Sequence, residues 1–269
     1  MICLGVNIYR DKKCPFFEIK MGNTSSVSYR KHVHEEYSLG FVIKGETNFW
    51  YDGRIQRIGA NSVVFLPPGF IHSCNPLDLD CWKYGMLFLD AGWFEPSMIN
   101  SGVDIDIPMF WHGPERPFRC EIEEMVEILM EDLPPFEKES HILTIIHQLS
   151  ESRSTERYIS SEREIAGLEV IRKYLENHFV EKISLDDLED LSGLSKYNII
   201  RGFKDVLNIS PHPFQTMLRI NHAKKKLKNG SPPLKVALDT GFYDQSHFIK
   251  AFKDHVGMTP NQYRVSGDR

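Results

Sequence analysis

Two periodicities divide the chain. Up to residue 112 the apolar positions fall in short runs, at 37–43, 47–51, 62–66 and 82–89. The breaks between them are Lys44-Gly45, Asp52-Gly53, Gly59-Ala60-Asn61 and Pro67-Pro68-Gly69. Short apolar runs bounded by turn residues predict strands, and Asp52-Gly53 after an aromatic run predicts a hairpin. Residues 1–112 are expected to form an antiparallel sandwich or barrel, and a barrel of this size holds one small ligand. Beyond residue 118 the apolar spacing changes to three and four. Ile122, Met125, Val126 and Leu129 share one face within 118–132, and Ile142, Ile145, Ile146 and Leu149 share one within 137–151. Pro134-Pro135 stops the first of these two helices. They either pack on the β part or form a subunit contact. The polar, Ser-rich stretch 150–160 reads as a linker. Helical spacing resumes with Ile165, Leu168, Ile171, Leu175 and Phe179. The expected class is α+β, in three parts: 1–112, 113–160 and 161–269.

Within the last part a nine-residue pattern occurs twice. Residues 203–211 read FKDVLNISP and residues 252–260 read FKDHVGMTP, with no gap inside the repeat. Each copy carries its own local signals. A Phe sits near the end of an amphipathic helix. Asn208 or Gly257 tolerates the left-handed conformation just past a helix end. Ser210-Pro211 or Thr259-Pro260 then restarts a helix, as hydroxyl N-cap and Pro in the first turn. Upstream of each copy lie a second short helix and a tight turn, Ser192-Gly193-Leu194-Ser195 or Thr240-Gly241-Phe242-Tyr243-Asp244. Ser184 with Asp187 is a capping-box-like start for the first of those short helices. Short helix, Gly-containing turn, longer polar-faced helix is the helix-turn-helix plan, here twice over, joined by a helix at 214–228.

Charge sharpens this picture. The net charge of −5 hides a step: residues 195–269 carry 13 Lys/Arg against 5 Asp/Glu, a net of +8, whereas residues 1–194 are net −13. The C-terminal part is the one expected to face a polyanion. Five cysteines without a CxxC are expected to be free thiols in a reducing cytosol. No apolar run reaches the roughly 18 residues of a membrane span, and the N-terminus lacks a signal-peptide pattern.

Residues 163–265 resemble the DNA-binding domain of the AraC/XylS family of bacterial transcription regulators. The stretches that carry the resemblance are ISLDDLEDLSGLSKYNIIRGFK and ALDTGFYDQSHFIKAFKDHVGMTPNQYR. One departure is Glu189, where the family's first short helix has a small residue; the second half keeps Ala237 there. In helix-turn-helix docking the N-terminal part of the second helix reaches base edges. Its exposed stripe in the first unit is Lys196, Tyr197, Ile200, Arg201 and Lys204, with Ile199 and Phe203 inward. By resemblance Tyr197, Ile200 and Arg201 fall at base-contact positions, and Arg201 has the fork that reads guanine. In the second unit Gln245, Ser246, His247, Ile249 and Lys250 match family positions, with Phe248 and Phe252 inward. The run Lys224-Lys225-Lys226 with Lys228 either touches phosphate or is a solvated helix face.

The first part is similar to a cupin, the domain many such regulators use for effector binding. His32-Val33-His34, Gly45-Glu46, Gly59 and Pro67-Pro68-Gly69-Phe70-Ile71-His72 with Asn75 carry that likeness. A full cupin metal site has a Glu four residues after the second His, but here that position is Ser38. No metal and no cofactor are therefore expected. His32, His34 and His72, with Trp50, Trp82 and Tyr84 as pocket walls, are candidate contacts to an organic effector. Hydrogen-bonded structural histidines and a bound metal are the alternatives. The resemblances imply a transcription regulator rather than an enzyme, cytoplasmic and homodimeric. Its expected partners are double-stranded DNA and a small-molecule effector, with RNA polymerase a candidate. A cupin-type metalloenzyme or metal sensor fused to a DNA-binding domain, or a constitutive regulator with a barrel for dimerisation, are the rival readings.

Overall fold

The computed structural model describes residues 5–23, 30–78, 81–98, 109–111, 118–151, 156–157, 166–207 and 209–266. Its N-terminal part is built from strands β1 Gly5–Asp11, β2 Cys14–Asn23, β3 Tyr37–Lys44, β4 Glu46–Tyr51, β5 Arg54–Gly59, β6 Val63–Leu66, β7 His72–Pro76 and β8 Lys83–Leu89, then helix α1 Ala91–Met98 and strand β9 Met109–Trp111. Helices α2 Phe118–Leu129 and α3 Pro135–Glu151 follow, then the short strand β10 Glu156–Arg157. One sheet has the order β1-β2-β8-β3-β6-β9-β10 and the other β5-β4-β7, with antiparallel pairs throughout. The two sheets face each other but do not close into a continuous barrel among the described residues.

The period-2 alternation of β3 explains the layering. Tyr37, Leu39 and Phe41 turn outward and pack with Phe65, Leu87, Leu89 and Phe94 under α2 and α3. Val42, with Val64, Leu66 and Tyr84, turns inward against Phe49, Tyr51 and Ile58 of the small sheet. Helices α2 and α3 bury Ile122, Met125, Val126, Leu129, Ile142, Ile146 and Leu149 on the outer face of the large sheet. Their apolar stripes are thus used within the chain. Lys138 of α3 is buried, donating to Asp11 Oδ2 at 2.6 Å and to the Leu129 carbonyl at 2.9 Å.

Several expectations are corrected here. The four runs at 37–43, 47–51, 62–66 and 82–89 are strands, but β1, β2, β5 and β7 join them. The stretch 1–112 also contains α1. Pro135 opens α3 rather than ending α2, because a first-turn Pro has no N–H bond to lose. The linker contributes β10, where Glu156 and Arg157 pair with Phe110 and Met109.

The C-terminal domain comprises α4 Ala166–Asn177, α5 Leu185–Ser192, α6 Lys196–Val206, α7 Pro211–Lys228, α8 Pro233–Asp239, α9 Gln245–Val256 and α10 Pro260–Val265. Its caps follow the sequence signals. Ser184 and Asp187 form a capping box on α5, which Gly193 ends at φ 68°. Ser195 and Asp244 cap α6 and α9 through the Asn198 and His247 amides. Gly257 ends α9 at φ 86°, and Thr259 with Gln262 boxes α10. Ser210 is the N-cap of α7 with Pro211 behind it, without a side-chain cap bond. Ile165 and Asn208 lie outside the described residues. Gly241, at φ 80°, makes the turn of the second unit; a Cβ there would meet the Val180 carbonyl oxygen at 2.2 Å, so only glycine fits.

Candidate functional site

Two helix-turn-helix units emerge, α5–α6 and α8–α9. Ile199 and Phe203 are fully buried in one, Phe248 and Phe252 in the other. On α6, Arg201 and Lys204 are exposed and Ile200 is half-buried; the Tyr197 side chain lies outside the described ones. On α9, Gln245, Ser246, His247 and Lys250 are exposed and Ile249 is half-buried. Lys196 is tied back to α5 by an ion pair with Asp186. Glu189, the departure from the small-residue rule, accepts the Lys196 backbone N–H at 3.3 Å. Its carboxylate thus sits at the N-terminal end of α6, where the helix dipole favours it.

Between the two sheets lies a cavity of about 50 Å³, lined mainly by Val42, Ile58, Val64, Tyr84, Met86 and Phe88. Its polar wall is His32, His34, His72 and Lys20. The three histidines converge because β7 and the segment before β3 bridge at His32 and His72, with reciprocal N–H···O bonds of 2.9 and 3.0 Å. One ring nitrogen from each lies within 4.8 Å of the others. Burial is the first cause holding all three below the usual imidazole range, His72 to about 4, with mutual repulsion adding for His32 and His34. Burial thus favours the uncharged imidazole at each of the three. Trp82 and Tyr84 line this cavity, but Trp50 does not. It alternates to the outer face of β4, its ring 3.5 Å from the Lys31 ammonium.

The cavity adjoins the C-terminal domain. Lys20, His32, His34 and Phe88 also line a second, smaller space whose other walls include Met217, Ile220, Asn221, Lys224 and Val256. Polar bonds fasten the two domains around it. Lys20 donates to the Val256 carbonyl at 2.9 Å. Arg10 donates to the Tyr263 and Ser266 carbonyls at 3.0 and 2.8 Å while pairing with Glu18 at 2.7 Å. Arg30 meets Asp254 at 3.1 Å. Lys224 contacts both Glu36 oxygens, at 3.2 and 3.3 Å, and Lys225 pairs with Glu35. Ile8 completes the apolar cluster of the second helix-turn-helix unit, and Val33 that of the first. The lysine run therefore divides. Lys224 is a buried interdomain group, a role without a local sequence signal because its partner lies 188 residues away. Lys226 pairs with Asp239.

Paired helix-turn-helix units joined to a hollow double sheet define a DNA-binding transcription regulator with a ligand-binding domain. Residues 21–137 match the family model described as an AraC-like ligand binding domain, and residues 189–266 match that of a helix-turn-helix domain. The HTH-type transcriptional regulator YbfI of Bacillus subtilis (strain 168), itself uncharacterised, is 30% identical over 224 residues, 81% of either chain. The chain belongs to the AraC family of transcription regulators. Among solved structures, an apo point variant of ToxT from Vibrio cholerae superposes with a TM-score of 0.63 at 14% identity, over 93% of this chain and 97% of that one. Wild-type ToxT with a bound unsaturated fatty acid gives 0.58 at 14% identity, over 99% and 95%. These two likenesses concern the fold.

Proposed function

We propose that this regulator is a cytoplasmic homodimer that catalyses no reaction and responds to a small organic molecule bound between its two sheets. The proposed division is effector domain 1–112, helical dimerisation region and linker 113–160, and DNA-binding domain 161–269. The observation that carries the reading is the shared wall: Lys20, His32, His34 and Phe88 line both the cavity and the junction with the DNA-binding domain. A ligand that shifts this wall changes the docking of the two domains, and with it the population able to span two successive major grooves. His32, His34, His72, Trp82 and Tyr84 are the proposed effector contacts. Arg201, Ile200, Tyr197, Lys196 and Lys204 of the first unit, and Gln245, Ser246, His247, Ile249 and Lys250 of the second, are the proposed DNA contacts. The exposed Met130 and Phe136 at the α2–α3 corner support a subunit contact. RNA polymerase is the proposed further partner.

The test is operator binding by the full chain, with the operator taken from genomic footprinting and the effector from a metabolite screen. His34→Ala should bind the operator but no longer respond to the effector; a variant that still responds makes His34 structural. The convergence of three imidazoles within 4.8 Å favours a second reading, a divalent metal held by them. Elemental analysis of protein purified without chelators separates the two readings.

A further inference from the structure

The cavity is polar at two ends, and the two ends have opposite hydrogen-bonding character. Thr47 and His72 lie four residues apart along β4, since Thr47 pairs with Pro76 and Tyr51 with His72; that separation is about 13 Å. At the Thr47 end, Thr47 Oγ1 and Trp82 Nε1 are buried and have no hydrogen-bond partner. Both residues line the cavity. An indole N–H only donates, and a buried donor left unpaired is costly, so what belongs there is an acceptor oxygen. At the other end His72 donates Nδ1–H to the Phe70 carbonyl at 2.9 Å. Because a carbonyl only accepts, this bond puts the proton on Nδ1 and leaves Nε2 as the nitrogen free to accept from a ligand. His32 is held in the same tautomer by the Arg30 carbonyl at 2.8 Å. A carboxylate at this end would face an imidazole lone pair, and the Lys20 ammonium nearby already donates to the Val256 carbonyl at 2.9 Å. A cation would face the Lys20 ammonium, which lines the same wall. A neutral hydroxyl meets neither obstacle. Between the ends the lining is Val42, Ile58, Val64 and Met86.

We propose that the ligand of this cavity is a small elongated molecule with a neutral hydroxyl at the His72 end, an apolar middle, and a carbonyl, carboxylate or ether oxygen at the Trp82–Thr47 end. This rests on reading the cavity as the effector site. It departs from a simple acid whose carboxylate points at the histidines.

The test measures binding of four six-carbon probes to the 269-residue chain by calorimetry and melting shift: 6-hydroxyhexanoate, hexan-1-ol, hexanoate and hexanedioate. 6-Hydroxyhexanoate should bind tightest, by about tenfold over hexanedioate, because the second carboxylate replaces the donor the imidazole accepts from. Trp82→Phe removes the indole donor and keeps an aromatic wall. It should weaken 6-hydroxyhexanoate about tenfold and leave hexan-1-ol unchanged. The wild-type ranking stands independently of how that variant folds. Acids binding ahead of 6-hydroxyhexanoate would overturn this ligand class while leaving the cavity an effector site. So would a Trp82→Phe effect equal for hexan-1-ol. If none of the four binds, this ligand class falls; stoichiometric metal on the histidines would overturn the effector reading as well.

Discussion

The Glu36–Lys224 pair offers a quantitative test of how the domains are held together. The Lys224 ammonium is 3.2 Å from the nearer carboxylate oxygen, with side-chain exposures of 11% for Lys224 and 29% for Glu36. At an effective dielectric of about 20 the attraction is about 4–5 kcal/mol, and the desolvation of both groups offsets much of it. Burial alone would raise the Glu36 carboxyl, but Lys224 more than reverses this and the carboxyl sits below its ordinary value. Burial likewise works to lower Lys224, and Glu36 leads the charges that hold it above its ordinary value instead. Removing either partner strands the other. Lys224→Met should therefore cost about 3 kcal/mol and Glu36→Gln about 2 kcal/mol. The double variant should cost about 2 kcal/mol less than their sum, because no stranded charge remains. The assay uses the placement of Trp50, Trp82, Trp93 and Trp111, all within the first 111 residues. In urea, tryptophan fluorescence follows the sheets, while far-UV circular dichroism is dominated by helices. The two transitions should coincide in the wild type and separate in Lys224→Met, since the lost bond joins the domains. Coincident transitions together with a coupling below about 0.5 kcal/mol would refute the reasoning.

Other consequences are measurable. Arg201→Ala should cost about 1–3 kcal/mol of operator binding and relax specificity at one base pair; equal weakening on random DNA would make Arg201 a phosphate contact. Operator affinity should fall steeply with added salt, as the segment 195–269, of net charge +8, releases counterions, and a flat salt titration would contradict it. Acid should destabilise the N-terminal domain. His72 is neutral in the fold, with its value lowered to about 4, so its contribution is complete above the unfolded value near 6.5. About 3 kcal/mol is then lost as pH falls from about 6.5 to about 4. Urea midpoints across that window test this, and His72→Phe should flatten the slope. Gly241→Ala should cost about 2–4 kcal/mol through its left-handed φ and the Val180 carbonyl, read from thermal melts.

The helical domain was legible because its signals are local. Caps such as Ser184, Asp244 and Thr259, and the buried Phe203 and Phe252, act within a few residues of themselves. The double-sheet class and the convergence of His32, His34 and His72 also followed from pattern and resemblance. Strands β1 and β2 did not, for a physical reason. Arg10, Glu18 and Lys20 are buried on them, and such residues read as a solvent face when they are in fact satisfied by the other domain. Lys224 was hidden the same way. Trp50 shows the limit of composition, since an aromatic residue in a strand says nothing about which side of the sheet it occupies until the register is known. Helix α1 carries Pro96 inside it, so its pattern was not recognisably helical.

The sequence repeat conceals an inequality. The polar bonds described above between the N-terminal part and the DNA-binding domain end on α7, on α9 and on α10 or just past it: Lys224 and Lys225, Val256 and Asp254, Tyr263 and Ser266. The recognition helix α6 receives none of them. Two copies of one ancestral motif thus carry different burdens. The first meets the N-terminal part through apolar packing at Val33, whereas the second is also held to it by a hydrogen bond and an ion pair. A displacement of the wall that the proposed effector site shares with the junction would therefore reach the second unit through bonds that the first unit's recognition helix does not share.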